Sequence, residues 1–98
     1  MAYTFLSRFK VHPHKDADFV KLTSQGEAVA ANESDTLAYT FYRLDEPHHF
    51  AVFESFTDEA ADIAHQQNPE MAPVIKGMME CIDGGYEREM LHDVKKDD

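Results

Sequence analysis

Glu54 and His65 are the two side chains in this chain best suited to moving protons, and a single strand-to-helix junction separates them. The stretch Phe53-Glu54-Ser55-Phe56-Thr57-Asp58-Glu59-Ala60-Ala61-Asp62-Ile63-Ala64-His65 reads as a strand running straight into a helix. It sets a carboxylate in an aromatic row and an imidazole two turns into the helix. On such a strand Glu54 lies between Val52 and Phe56 on one face. A carboxylate in apolar surroundings is costly unless paired, and its pKa rises, which makes it a usable general base. The structural alternative is an anchor, hydrogen-bonded to a backbone N–H or paired with Arg8, Arg43 or Arg88. His65 follows Ala61 by four positions and shares its helix face. It is either a proton acceptor or orienting donor facing a cavity, or a partly buried histidine bonded to a carbonyl or to Glu54. The spacing leaves both pairs of readings open.

Other residues supply candidate surroundings. Tyr39 and Tyr42 can offer a hydroxyl to a substrate oxygen, and Phe41, Phe53 and Phe56 can wall a pocket for a flat ring. The same aromatics equally suit a core and a subunit interface. His12, His14, His48 and His49 raise a metal question, but they lack the closely specified spacing of zinc ligands and read as loop histidines in solvent. Met71, Met78, Met79 and Met90 suit gap filling in a core. Cys81 has no neighbouring His or second Cys in sequence to activate it. A glycine-rich phosphate loop, a GxSxG elbow and a CxxC pair are all missing from the chain, so the reading calls for no cofactor and no metal.

The elements that must position these groups follow from periodicity. Tyr3 to Val11 alternates as a strand, and His12-Pro13-His14 breaks it. Proline suits a first helical turn, Asp16 adds negative charge where the helix dipole favours it, and the helix runs to about Asn32. Gly26 weakens that helix by roughly 1 kcal/mol relative to Ala, which suggests close packing there. Glu33-Ser34-Asp35 is a polar turn. Leu37 to Leu44 and His49 to Phe56 form a hairpin around Asp45-Glu46-Pro47-His48. In the first of these strands Leu37, Tyr39, Phe41 and Arg43 share a face. Thr57 can cap the next helix, which should end at Asn68-Pro69. A further helical piece spans Glu70 to about Ile82, and Tyr86 to Leu91 is a last strand.

The order β-α-β-β-α-β predicts an α+β, ferredoxin-like fold: a four-stranded antiparallel sheet with helices on one face. The single domain is expected over 1–92, with a polar tail over 93–98. Every strand carries apolar residues on both faces, yet helices cover only one. A homodimer packed sheet against sheet resolves the exposed patch.

The net charge of −10, from 9 Lys and Arg against 19 Asp and Glu, argues against nucleic acid and anionic membranes as partners. One cysteine permits no intrachain disulfide, no apolar run approaches the ~20 residues of a membrane span, and no signal peptide is visible. The expectation is a soluble, cytoplasmic protein.

The strand ending Phe53-Glu54-Ser55-Phe56, the following Asp58-Glu59-Ala60-Ala61 and His65 resemble the antibiotic biosynthesis monooxygenase domain family. Val11-His12-Pro13-His14-Lys15, Tyr39-Thr40-Phe41-Tyr42-Arg43 and Pro47 agree with it. The resemblance covers about Tyr3 to Leu91 and implies a dimeric α+β barrel. The family includes cofactor-free oxygenases of phenols and quinols, haem-degrading enzymes, an isomerase-like enzyme and members without known activity. Two departures stand out: Glu33-Ser34-Asp35-Thr36 replaces a frequent Gly before the second strand, and the Trp of the haem-degrading members is absent. The resemblance therefore implies a cofactor-independent monooxygenase of a small quinol- or phenol-type substrate. Glu54 and His65 would handle protons, and Tyr39 or Tyr42 would orient the ring. The alternatives are a non-catalytic dimeric binding module for a small apolar metabolite, and an isomerase using the same residues.

Overall fold

The computed structural model describes residues 2–95. Its elements are β1 (Tyr3–Lys10), a 3-10 turn (Pro13–Lys15), α1 (Asp16–Ala30), β2 (Thr36–Arg43), β3 (His49–Phe56), α2 (Glu59–Gln67), α3 (Ala72–Cys81) and β4 (Glu87–Leu91). The four strands form one antiparallel sheet in the order β2-β3-β1-β4, the ferredoxin-like arrangement. Residues 96–98 of the expected polar tail lie outside the described residues. No helix is long and apolar enough to cross a membrane among the described residues.

Register decides which side chains meet. Phe5 stands opposite Glu54 and Phe9 opposite Phe50 across β1 and β3, while Tyr39 stands opposite Glu54 and Phe41 opposite Val52 across β2 and β3. These residues share the face that the helices cover. Phe9, Phe19, Phe50, Val52, Met71, Val74, Met78 and Cys81 form the main buried cluster there. A smaller cluster of Phe5, Phe56 and Ala61 lies towards α2. The other face carries Leu6, Thr40, Tyr42, Ala51, Phe53 and Leu91, and no described element packs over it. Tyr42 is 54% exposed and Leu91 37%.

Four local expectations change. Leu37 does not share the inner face with Tyr39: a register shift between Thr36 and Ala38 bulges it outward, to 58% exposure. The cap of α2 is Asp58 rather than Thr57, its Oδ1 accepting from the Ala61 N–H at 2.9 Å. Asp16 opens α1, but its carboxylate is drawn out to the hairpin. It accepts from Arg43 Nη2 at 2.7 Å and meets His48 Nδ1 at 2.8 Å. Arg43, then His48, hold its pKa down at about 2. Pro13 starts a 3-10 turn rather than the α-helix itself.

Two glycines allow the helices to approach. A Cβ on Gly26 would stand 3.2 Å from both Met78 Cε and Tyr39 Cε2, and one on Gly77 would stand 3.1 Å from Leu22 Cδ1. The close packing expected at Gly26 thus brings α1 onto the very tyrosine that the sequence marks as a site candidate.

Candidate active site

A cavity of about 140 Å³ lies between the sheet and the helices. Sheet residues Ser7, Tyr39, Phe41, Val52, Glu54 and Arg88 form its floor, with His65 and Gln66 of α2 and Ile75, Met78 and Met79 of α3 above. Ile82 and Tyr86 flank it from the connection between α3 and β4. An apolar cavity of about 150 Å³ accommodates a benzene ring, so this space suits one six-membered ring.

Glu54 and His65 are brought together at its wall. His65 Nε2 stands 3.9 Å from Glu54 Oε1, and both side chains are nearly removed from solvent. That separation exceeds a hydrogen bond, and an oxygen set to one side of the pair would lie within hydrogen-bond distance of both. Burial pushes the Glu54 pKa up, the Asp62 carboxylate pushes it further, and Arg88 pulls it partly back, leaving it at about 7. Of the partners that the sequence offers Glu54, Arg8 binds Glu89 and Arg43 binds Asp16 instead. Arg88 lies near enough to act through its charge, with its guanidinium 3.8 Å over the Phe5 ring and 3.8 Å from Asp62 Oδ2.

The other edge of His65 is held by a residue that sequence reasoning missed. His65 Nδ1 lies 2.7 Å from Glu33 Oε1, in the turn before β2. Asn68 Nδ2 donates to Glu33 Oε2 at 2.8 Å, and Thr36 Oγ1 donates to Glu33 Oε1 at 2.8 Å. Burial alone would raise the Glu33 pKa, but the hydrogen bonds from His65, Asn68 and Thr36 outweigh it and hold the carboxyl below its ordinary value. Glu33 is therefore an ionised, acceptor-only group. Asp62 is the second omission: it is buried, accepts from Gln66 Nε2 at 3.1 Å and adds negative charge beside Glu54. Its position three residues before His65 places both on one helix face, a signal present in the sequence. Nothing local in Glu33-Ser34-Asp35 marks Glu33, because its approach to His65 arises only from the topology.

The aromatic candidates divide by face. Tyr39 and Phe41 line the cavity. The Tyr39 ring meets His65 edge-on at 4.7 Å between centroids, and its hydroxyl points to Met78 Sδ at 3.9 Å. Burial, then the charges of Glu54, Glu33 and Glu27, push its pKa up, so the hydroxyl stays neutral. Phe56 is fully buried and backs the His65 ring at 5.1 Å without lining the cavity. Tyr42 and Phe53 project from the opposite face of the sheet, away from Glu54 and His65, because alternate strand residues point to opposite sides. His48 and His49 are engaged by Asp16 and by the Pro47 carbonyl, each through Nδ1. Cys81 is buried in the core, and burial raises its thiol pKa.

Comparison with known proteins agrees with this architecture. The model of the family described as antibiotic biosynthesis monooxygenase matches residues 2–76. A candidate antibiotic biosynthesis monooxygenase from Caulobacter crescentus CB15 superposes with a TM-score of 0.85 at 26% identity, covering 96% of this chain and 91% of that one. Another from Nitrosomonas europaea gives a TM-score of 0.86 at 13% identity, covering 95% and 90%. A conserved protein from Methanosarcina mazei Go1 gives 0.84 at 21% identity, covering 93% and 91%. Among curated proteins, none matches.

Proposed function

This chain belongs to the antibiotic biosynthesis monooxygenase family, and from that premise we propose that it is a cofactor-independent monooxygenase of a small quinol- or phenol-type substrate. The observation that carries the proposal is the Glu54–His65 pair at the wall of a ring-sized cavity. A phenolic hydroxyl that bridges Glu54 Oε1 and His65 Nε2 from the cavity side would lie within hydrogen-bond reach of both. Loss of its proton to either group makes the ring electron-rich. The ring then supplies four electrons to dioxygen: one oxygen atom enters the ring and ends as a carbonyl, and the other leaves as water with the two hydrogens that the substrate gives up, one from its hydroxyl and one from the carbon that gains oxygen. Phenol and dioxygen thus yield a quinone and water. Tyr39 and Phe41, which line the cavity, would orient the ring, and the neutral Tyr39 hydroxyl would give up its long contact with Met78 Sδ to donate to a ring oxygen. The substrate provides the electrons, so the protein's task is to hold the ring, exclude water and take the proton.

The outer face bears on assembly. Leu6, Tyr42, Phe53 and Leu91 form an apolar surface that a second copy would cover, in line with the dimeric α+β barrel implied by the family resemblance. On this reading Tyr42 and Phe53 are interface residues rather than substrate contacts.

The test is oxygen uptake with a panel of one- and two-ring quinols and phenols. One-ring substrates should turn over, and His65→Ala should reduce the rate at least 100-fold. A ligand that binds in the cavity without oxygen consumption would instead make the protein a binding module.

A further inference from the structure

We propose that Glu33 is the positioning residue of this site: it fixes His65 with its proton on Nδ1 and thereby presents a bare Nε2 to the cavity beside Glu54. The inference rests on the proposed base role of the Glu54–His65 pair. Its geometric part stands without it.

The imidazole has two nitrogens, and the hydrogen bond at one fixes the state of the other. Among the described residues, four groups from three elements face the ring. Glu33 meets Nδ1 from the turn before β2, Glu54 approaches Nε2 from β3, Tyr39 packs against the ring from β2, and Phe56 packs from the end of β3. Glu33 is ionised and can only accept, so the short 2.7 Å contact requires a proton on Nδ1. Turning the ring over would set a carbon against that half-buried carboxylate and forfeit its bond.

Glu33 itself is immobilised. Asn68 and Thr36 donate to its carboxylate, its N–H donates to the Ala30 carbonyl at 3.0 Å, and its own carbonyl accepts from the Thr36 N–H at 3.2 Å. Asn68 is the residue at which α2 ends, so the same carboxylate also holds the end of the helix that carries His65. The placement therefore runs from the turn to Nδ1, through the ring, to Nε2 and the cavity. Glu33 touches no substrate on this account. It selects the tautomer that can accept a proton from one.

The test is two-dimensional proton–nitrogen NMR of the full chain with labelled histidine, at a pH where His65 is neutral. In the wild type, His65 should show Nδ1 protonated, Nε2 unprotonated and a downfield Nδ1–H proton. Glu33→Ala should abolish the preference for Nδ1–H. Glu33→Gln, nearly isosteric and safer for folding, should move the Nδ1–H proton upfield because a neutral acceptor replaces a charged one. A wild-type spectrum with the proton on Nε2, or an unmoved proton in Glu33→Gln, overturns the proposal. With a quinol that turns over, Glu33→Gln should lower kcat at least tenfold with KM within twofold. An unchanged kcat overturns the positioning role. A protein that oxidises no quinol but shows the expected spectra retains the Glu33–His65 assignment and loses only the monooxygenase reading.

Discussion

At Glu54 three effects act on one carboxyl: burial and the neighbouring Asp62 favour the neutral acid, and Arg88 favours the anion. The balance leaves a group with a folded pKa of about 7, against an ordinary value of 4.5. The folded protein therefore holds this proton more tightly than the unfolded chain does. The stabilisation is full below about pH 4.5 and is lost as the pH rises through about 7, with a loss bounded at about 3 kcal/mol. Glu54→Gln, which keeps the shape of the neutral acid, should melt at nearly the wild-type temperature at pH 5 and clearly above it at pH 8.5. An equal difference at both pH values would show that the carboxyl is not strained by its surroundings. The sequence offers Glu54 and His65 as proton-handling candidates and Tyr39, Tyr42, Phe41, Phe53 and Phe56 as ring contacts; alternation sorts these aromatics by face but does not say which face holds a cavity. The sequence leaves Glu33 unmarked, because a turn has no periodicity to betray which way a side chain reaches.

At the scale of elements, α2 is the part that the site depends on most. It is nine residues long, too short to be stable on its own, and Asp58 caps it. Asp58→Ala should cost about 1 kcal/mol, and Asp58→Asn much less, read as a fall in Tm of roughly 4–8 °C for the alanine variant. Gly26 matters at the junction of α1, α3 and β2. Val in its place would drive methyl groups into Tyr39 and Met78, each already 3.2 Å from where a Cβ would stand. The expected loss is about 1–3 kcal/mol by chemical denaturation, with a weakened grip on ring-shaped ligands. The order of elements and the boundaries of β3 follow from periodicity alone. The bulge at Leu37 and the cap at Asp58 do not, since each depends on how neighbouring backbone is paired.

At the scale of the whole molecule, the sheet is covered on one side by three helices and presents Leu6, Tyr42, Phe53 and Leu91 on the other. A second copy covering that face should give a dimeric mass by light scattering at micromolar concentration, and Phe53→Lys should shift it to a monomer. A monomeric wild type would contradict the dimer. The two-sided apolar alternation that suggests the dimer is also what separates Phe53 and Tyr42 from the cavity. Sequence could tell that each strand had two faces, but not which face the helices would take. The central claim, that the cavity deprotonates a small aromatic ring for reaction with dioxygen, is tested most directly by an oxygen electrode with purified protein and a one-ring quinol. Oxygen should be consumed in step with hydroxyquinone formation, at a rate reduced at least 100-fold in His65→Ala. No oxygen uptake above the uncatalysed rate across the panel, or an equal rate in His65→Ala, would contradict it.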